Sequence, residues 1–110
     1  MAYDEELAER IRAVLSAEDG ITERRMFGGL AFLVDRHLAV AASGQGGMML
    51  RCDPDDWVDL LDGDRVRPMV MRGRELAGWL RLAGDVIAEE AALAEYVRIG
   101  VAFARSLPPK

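Results

Sequence analysis

Arg25-Met26-Phe27-Gly28-Gly29-Leu30-Ala31-Phe32-Leu33-Val34, followed after Asp35-Arg36 by His37-Leu38-Ala39-Val40-Ala41-Ala42, is the longest apolar stretch of the chain. Side chains alternate along a strand, so Leu30, Phe32 and Val34 share one face while Ala31 and Leu33 share the other. All five are apolar, which is the pattern of a strand covered on both sides. The stretch therefore reads as a β-hairpin at the centre of a sheet. The two glycines ahead of it imply a backbone constraint, because Gly inside a strand marks a bulge, a positive φ or a close approach. At Gly29 the expectation is a bulge with positive φ or a neighbour too close to admit a Cβ.

Working outward, Asp4 can cap a first helix, with Glu5 and Glu6 in its first turn where negative charge suits the macrodipole. Leu7, Ile11, Val14 and Leu15 follow at helical spacing and Gly20 ends the segment. On the other side of the hairpin, Ser43-Gly44-Gln45-Gly46-Gly47 reads as a turn and Met48–Cys52 as a third strand. It is not a phosphate loop, since no strand-loop-helix context or Lys-Ser/Thr accompanies it. Asp53-Pro54 starts a short helix carrying Trp57, Leu60 and Leu61 on one face and ending at Asp62-Gly63-Asp64. A second hairpin runs from Pro68–Met71 to Leu76–Leu82 around Arg72-Gly73-Arg74-Glu75, with close packing expected at Gly78. A last helix begins near Glu89 and turns Leu93, Tyr96, Val97, Gly100, Phe103 and Ala104 inward. Gly100 implies a close crossing, most simply over the first helix, and Pro108-Pro109 stop the helix.

At 110 residues, 51% hydrophobic and 30% charged, the chain suits one domain over residues 1–110 with a core large enough to need no disulfide or metal. No apolar run reaches the length of about 18 residues that a membrane helix needs, and acids follow the first Met where a signal peptide carries base. A cytoplasmic location is expected. One cysteine, Cys52, excludes an internal disulfide, and one histidine, His37, leaves too few soft ligands for structural zinc. Leu50-Arg51-Cys52-Asp53 does not form a nucleophile motif. The acids Asp53, Asp55, Asp56, Asp59 and Asp62 lack the ligand order and central Gly of a calcium loop, so they read as a cap and a solvated face. Neither catalytic residue, cofactor nor metal is expected.

Charge is polarised along the chain. Residues 1–20 sum to −4, 21–52 to +2, 53–62 to −5, 63–82 to +3 and 83–110 to −1, which together give the net −5. The second hairpin and its approach, with Arg65, Arg67, Arg72, Arg74 and Arg81, form the one basic region of note. Duplex affinity rests on neutralising several phosphates, and this chain is acidic overall with no helix carrying a basic face. Direct nucleic-acid binding is therefore not expected.

The Arg25-Met26-Phe27-Gly28-Gly29 run with its apolar hairpin, together with Gly100-Val101-Ala102-Phe103-Ala104-Arg105-Ser106-Leu107-Pro108-Pro109, resembles the N-terminal domain of the TfoX/Sxy family. The likeness covers nearly the whole chain. It implies an α+β fold, a two-layer antiparallel sheet with helices in the order α-β-β-β-α-β-β-α, similar to secretion-chaperone-like folds. It implies a stand-alone copy of the domain, without the helical second domain of longer members. It implies further a bacterial regulator of the kind associated with natural competence, with no chemistry in this domain. One departure is visible: members often place Asn-Gly in the first hairpin turn, where this chain has Asp35-Arg36. Without Gly, a loop longer than two residues is expected there.

Two functional readings follow. The first is a non-enzymatic protein-interaction domain acting on transcription through a protein partner such as the transcription machinery, with Arg25, Arg72 and Arg74 as charges and Trp79 as an anchor. It expects an exposed apolar patch rimmed by arginine, or an open sheet edge. The second is a small-molecule or anion-binding domain using Arg25 and the backbone of Gly28 and Gly29, which expects a polar-lined hollow beside them. Either is compatible with a monomer or a homodimer.

Overall fold

The computed structural model describes residues 3–26 and 28–108. Phe27 of the opening stretch and Pro109, expected to help stop the last helix, lie outside the described residues.

One antiparallel sheet and three helices make up the fold, which is α+β as expected. The elements run α1 (Glu5–Val14, continued by a 3-10 turn Leu15–Ala17), β1 (Ile21–Met26), β2 (Gly29–Val34), β3 (His37–Ala42), β4 (Met48–Arg51), α2 (Trp57–Leu60), β5 (Val66–Met71), β6 (Arg74–Leu82) and α3 (Glu90–Ser106). In space the strands lie in the order β1-β2-β3-β4-β6-β5. The order of elements thus contains one strand more than the sequence pattern gives. That strand is β1, whose Thr22, Glu23, Arg24 and Arg25 are all exposed, so it carries no apolar alternation to betray it. It forms because β2 offers an open ladder, and all six of its residues pair with β2 from Ile21↔Val34 to Met26↔Gly29.

All twelve residues of β2 and β3 are buried, as the doubly apolar pattern requires. Leu30, Phe32 and Val34 face the helices and join Leu7, Ile11, Leu50, Leu80, Leu93 and Val97 in the main core. Ala31 and Leu33 face away and join a second cluster with Leu38, Ala41, Met49 and Met69, against which Met26, Leu76 and Trp79 pack. Met69 and Leu76 belong to the β5–β6 hairpin, so that hairpin helps to cover the face the helices leave open.

Two connections depart from the sequence reading. Val34 pairs with His37, so Asp35-Arg36 is a two-residue turn rather than a longer loop, and both residues take positive φ (50° and 74°). That is the geometry a hairpin's twist favours, and Asp tolerates it through its short polar side chain. Tertiary contacts hold it: the Asp35 N–H donates to the Gly20 carbonyl (3.0 Å) and its carboxylate faces Arg105. The second departure is α2. The Asp53 carboxylate accepts the Asp55 N–H (2.9 Å) as a cap should, but three residues of turn follow before one turn of helix.

α3 crosses the sheet rather than α1 at Gly100, which lies over Ala39 and Val40 of β3 and Leu50 of β4. α1 is capped by Asp4, whose carboxylate accepts the Glu6 and Leu7 N–H groups, and buries Leu7, Ala8 and Ile11. Arg10 ties it to the start of α3, donating to the Ile87 and Ala88 carbonyls and pairing with Glu90. Among the described residues no helix is long and apolar enough to cross a membrane.

Candidate functional site

The residues singled out from the sequence separate into two groups. Arg25 lies exposed on edge strand β1, opposite Leu30. Gly28 makes the β1–β2 turn with φ +75° and open space where a Cβ would stand. Gly29 begins β2 and is sealed, because a Cβ there would collide with the Ala42 carbonyl oxygen. Arg72 and Gly73 form the tight β5–β6 turn with φ of 54° and 77°, and Arg74 opens β6 opposite Met71. β1 and β5 are the two edges of the sheet, five strand spacings or roughly 24 Å apart. Arg25 and the Arg72–Arg74 turn therefore belong to different surfaces.

Trp79 stands on β6 between these edges and is half-buried in the second cluster. Its ring lies 5.4 Å from the Arg51 guanidinium, which is also 5.2 Å from the Phe103 ring of α3. Its carbonyl accepts the Trp57 indole N–H (3.0 Å). These contacts commit Trp79 to joining β4, β6 and α2.

Edge strand β5 presents Val70 and Met71, 57% and 38% exposed, beside the Arg72 and Arg74 of the turn. At its start the Val66 N–H and carbonyl bond to Asp62 (3.1 and 2.9 Å), but beyond Val66 its outer side has no strand neighbour among the described residues, and the strand carries Pro68, a residue tolerated at sheet edges because it has no N–H to leave unpaired. Behind it, β4, β5, β6 and the Ser43–Gly47 turn line an open-sided hollow of about 560 Å³. Arg67 and Arg81, direct partners across the β5–β6 ladder, both line it. Burial, and after it the positive charge of Arg67, push the Arg81 guanidinium below its ordinary value. Sequence reading counted these arginines only as part of a basic segment. An Arg between Leu80 and Leu82 signals a residue facing away from the core, but its pairing with Arg67 depends on a ladder that shifts by three residues where Leu76–Trp79 of β6 lie opposite Met69 alone.

The other reactive groups are sequestered. Burial, with the nearby carboxylates of Asp56 and Asp53, pushes the Cys52 thiol up to about 11, so it stays protonated and weakly nucleophilic at neutral pH. His37 is buried and its Nε2–H donates to the Pro108 carbonyl (2.7 Å), fastening the chain after α3 to β3. Glu23 of β1 pairs with Arg12 of α1 (2.7 Å), and the hydrogen bond from that guanidinium holds the carboxyl below its ordinary value. Among the described residues no three His, Cys, Asp or Glu side chains converge.

No curated protein and no solved structure matches the chain. The family model of the TfoX N-terminal domain matches residues 13–104, a span from the end of α1 through all six strands to the last turn of α3. By that match the chain belongs to the TfoX N-terminal domain family.

Proposed function

We propose that this domain is a non-catalytic regulatory module that acts on transcription through a protein partner, and that the partner adds to the β5 edge. The observation that carries this reading is the open edge strand, with Val70 and Met71 exposed and Arg72 and Arg74 flanking them. An added strand would extend along β5 beyond Val66, whose outer groups already meet Asp62, with the two apolar side chains supplying area and the arginines drawing an acidic partner. Membership of the TfoX N-terminal domain family supports a regulatory role. The protonated Cys52 and the committed His37 support the absence of catalysis.

The tagged chain, incubated with purified RNA polymerase and with fractionated transcription factors, is expected to retain one of them. The Val70→Asp/Met71→Asp variant is expected to lose it while remaining folded by circular dichroism. Retention unchanged by that variant would remove the β5 edge from the proposal. In this reading the chain does not itself read DNA, given its net charge of −5. A gel shift at physiological salt is expected to show no sequence-dependent complex with duplex DNA, and a saturable one would overturn the indirect mechanism.

A further inference from the structure

The hollow behind β5 is lined by two guanidinium groups, of the exposed Arg67 and the half-buried Arg81, and by no carboxylate among the described residues. Arg10, Arg12, Arg65 and Arg105 all meet carboxylates. Among the described residues Arg67 and Arg81 form no such pair, although they stand directly opposite each other in the β5–β6 ladder. Like charges in that position repel and destabilise a sheet. The arrangement is at its most unfavourable when the hollow holds only water, and an anion between the two groups would reverse the sign of the interaction.

The third polar group in the hollow has a proton to offer. Ser43 is only 4% exposed, and its Oγ accepts from Arg81 (3.0 Å) and from the Gln45 backbone N–H (3.1 Å). A hydroxyl has two acceptor lone pairs and one O–H donor, so both lone pairs are used and the hydrogen is left to donate. Arg81, bonded to Ser43, and Arg67, its exposed ladder partner, thus line the hollow together with the Ser43 hydroxyl, and an adjoining recess of about 280 Å³ continues past Arg67 and Arg81 along Gly46 and Gly47. Met49, Pro68, Met69 and Val70 supply apolar lining. At about 560 Å³ the hollow lies in the range of small-molecule sites and is far larger than an inorganic ion requires. Methionine walls accommodate varied apolar shapes because the side chain is unbranched and flexible.

We propose that this hollow binds a small organic oxyanion, its carboxylate or phosphate head held by Arg67, Arg81 and the Ser43 hydroxyl and its apolar body laid on Met49, Pro68, Met69 and Val70. Guanidinium groups suit such heads because their planar fork donates two parallel hydrogen bonds. The site is separate from the Arg25, Gly28 and Gly29 region, and it is tested on the purified chain alone, independently of any protein partner.

The probes are octanoate, phenyl phosphate and inorganic phosphate, titrated into the full chain by calorimetry and by amide chemical shifts. Saturable one-to-one binding of octanoate or phenyl phosphate is expected, with shifts centred on residues 43–47, 67–71 and 81. The organic anion that binds tighter identifies the head group. Arg67→Gln and Arg81→Gln should each weaken binding by about tenfold or more, a loss of the size expected for a charge-assisted hydrogen bond. Arg98→Gln, on the outer face of α3, should leave it unchanged. A second readout covers the case in which a variant folds poorly. Without ligand, Arg67→Gln should raise the thermal midpoint by removing repulsion, and saturating organic anion should raise the midpoint of wild type but not of Arg67→Gln. Absence of saturation with both organic anions, equal binding by Arg67→Gln, or inorganic phosphate binding as tightly as either organic probe would overturn the proposal.

Discussion

Gly100, in the middle of α3, lies against the carbonyl oxygen of Ala39, the residue left without a partner where the β2–β3 register shifts from Phe32↔Val40 to Leu33↔Leu38. A Cβ at position 100 would stand 2.7 Å from that oxygen, 2.9 Å from Leu50 Cδ1 and 3.0 Å from Val40 Cγ1. The bulge and the glycine are complementary: one lifts backbone toward the helix and the other removes the side chain in its way.

Gly100→Ala is therefore expected to destabilise. Ala gains about 1 kcal/mol of helix propensity, whereas overpacking against a backbone atom costs about 1–3 kcal/mol. The net loss should be about 1 kcal/mol, and larger for Gly100→Val. Urea denaturation of the two variants beside wild type measures it, and a midpoint for Gly100→Ala above wild type would show that α3 can ride away from the sheet.

At Gly29 the close neighbour is the Ala42 carbonyl oxygen, with the Gly44 nitrogen 3.1 Å from a built Cβ, and φ is not positive. Of the two reasons expected for this glycine, steric closeness is the one that applies. Gly29→Val should cost about 2–4 kcal/mol, since both obstacles are backbone atoms of β3 and the turn after it. Because strand propensity favours Val, an unchanged midpoint would mean that β2 and β3 separate at this end without penalty.

Arg36 holds a positive φ of 74° with an exposed side chain. A non-glycine residue in that region carries strain of about 1–3 kcal/mol, and Gly forfeits about 0.4–1 kcal/mol of it through the freer unfolded chain. Arg36→Gly is expected to stabilise the protein by about 0.5–1 kcal/mol, read as a higher thermal midpoint. A lower midpoint would assign the Arg36 side chain a stabilising contact that outweighs the relief of strain.

Cys52 gives a pH dependence with a defined sign. Its folded value of about 11 lies above its ordinary 9.0, so between those limits the unfolded chain binds fewer protons than the folded one. Its contribution to stability is fully present below pH 9 and is lost as pH rises toward 11. Denaturation midpoints from pH 7 to 10.5 should fall more steeply for wild type than for Cys52→Ala above pH 9. At pH 8 iodoacetamide should modify the folded protein far more slowly than the unfolded chain, and equal rates would show the thiol to be accessible.

Much of the fold is legible in local pattern. The doubly apolar Leu30–Val34 run yields a strand buried on both faces, Asp4 caps α1, the second hairpin turns within Arg72–Glu75 though in two residues rather than four, and the spacing of Leu93, Val97, Gly100 and Ala104 describes the buried face of α3. Each signal is written in neighbouring residues, because burial, capping and turn geometry act over a few positions. Strand β1 is not written this way. Four of its six residues are exposed and polar, and it is a strand because β2 needs a partner for its backbone.

The candidate sites divide along the same line. Arginine content, the Arg72–Arg74 turn and the glycines before β2 were visible as residue types, and their placement on opposite edges of the sheet was not. Trp79 is visible in the sequence as an aromatic anchor, and only the fold shows that Arg51 and Trp57, distant in sequence, engage its ring and its carbonyl. The amino-acid order determined the helices, the strands other than β1, and which faces are apolar. Only the tertiary structure decided that Gly100 meets Ala39, that Asp35-Arg36 closes in two residues, and that Arg67 stands opposite Arg81. Those outcomes depend on strand register, which shifts by one residue between β2 and β3 and by three between β5 and β6, and register is settled by the packing of the whole sheet.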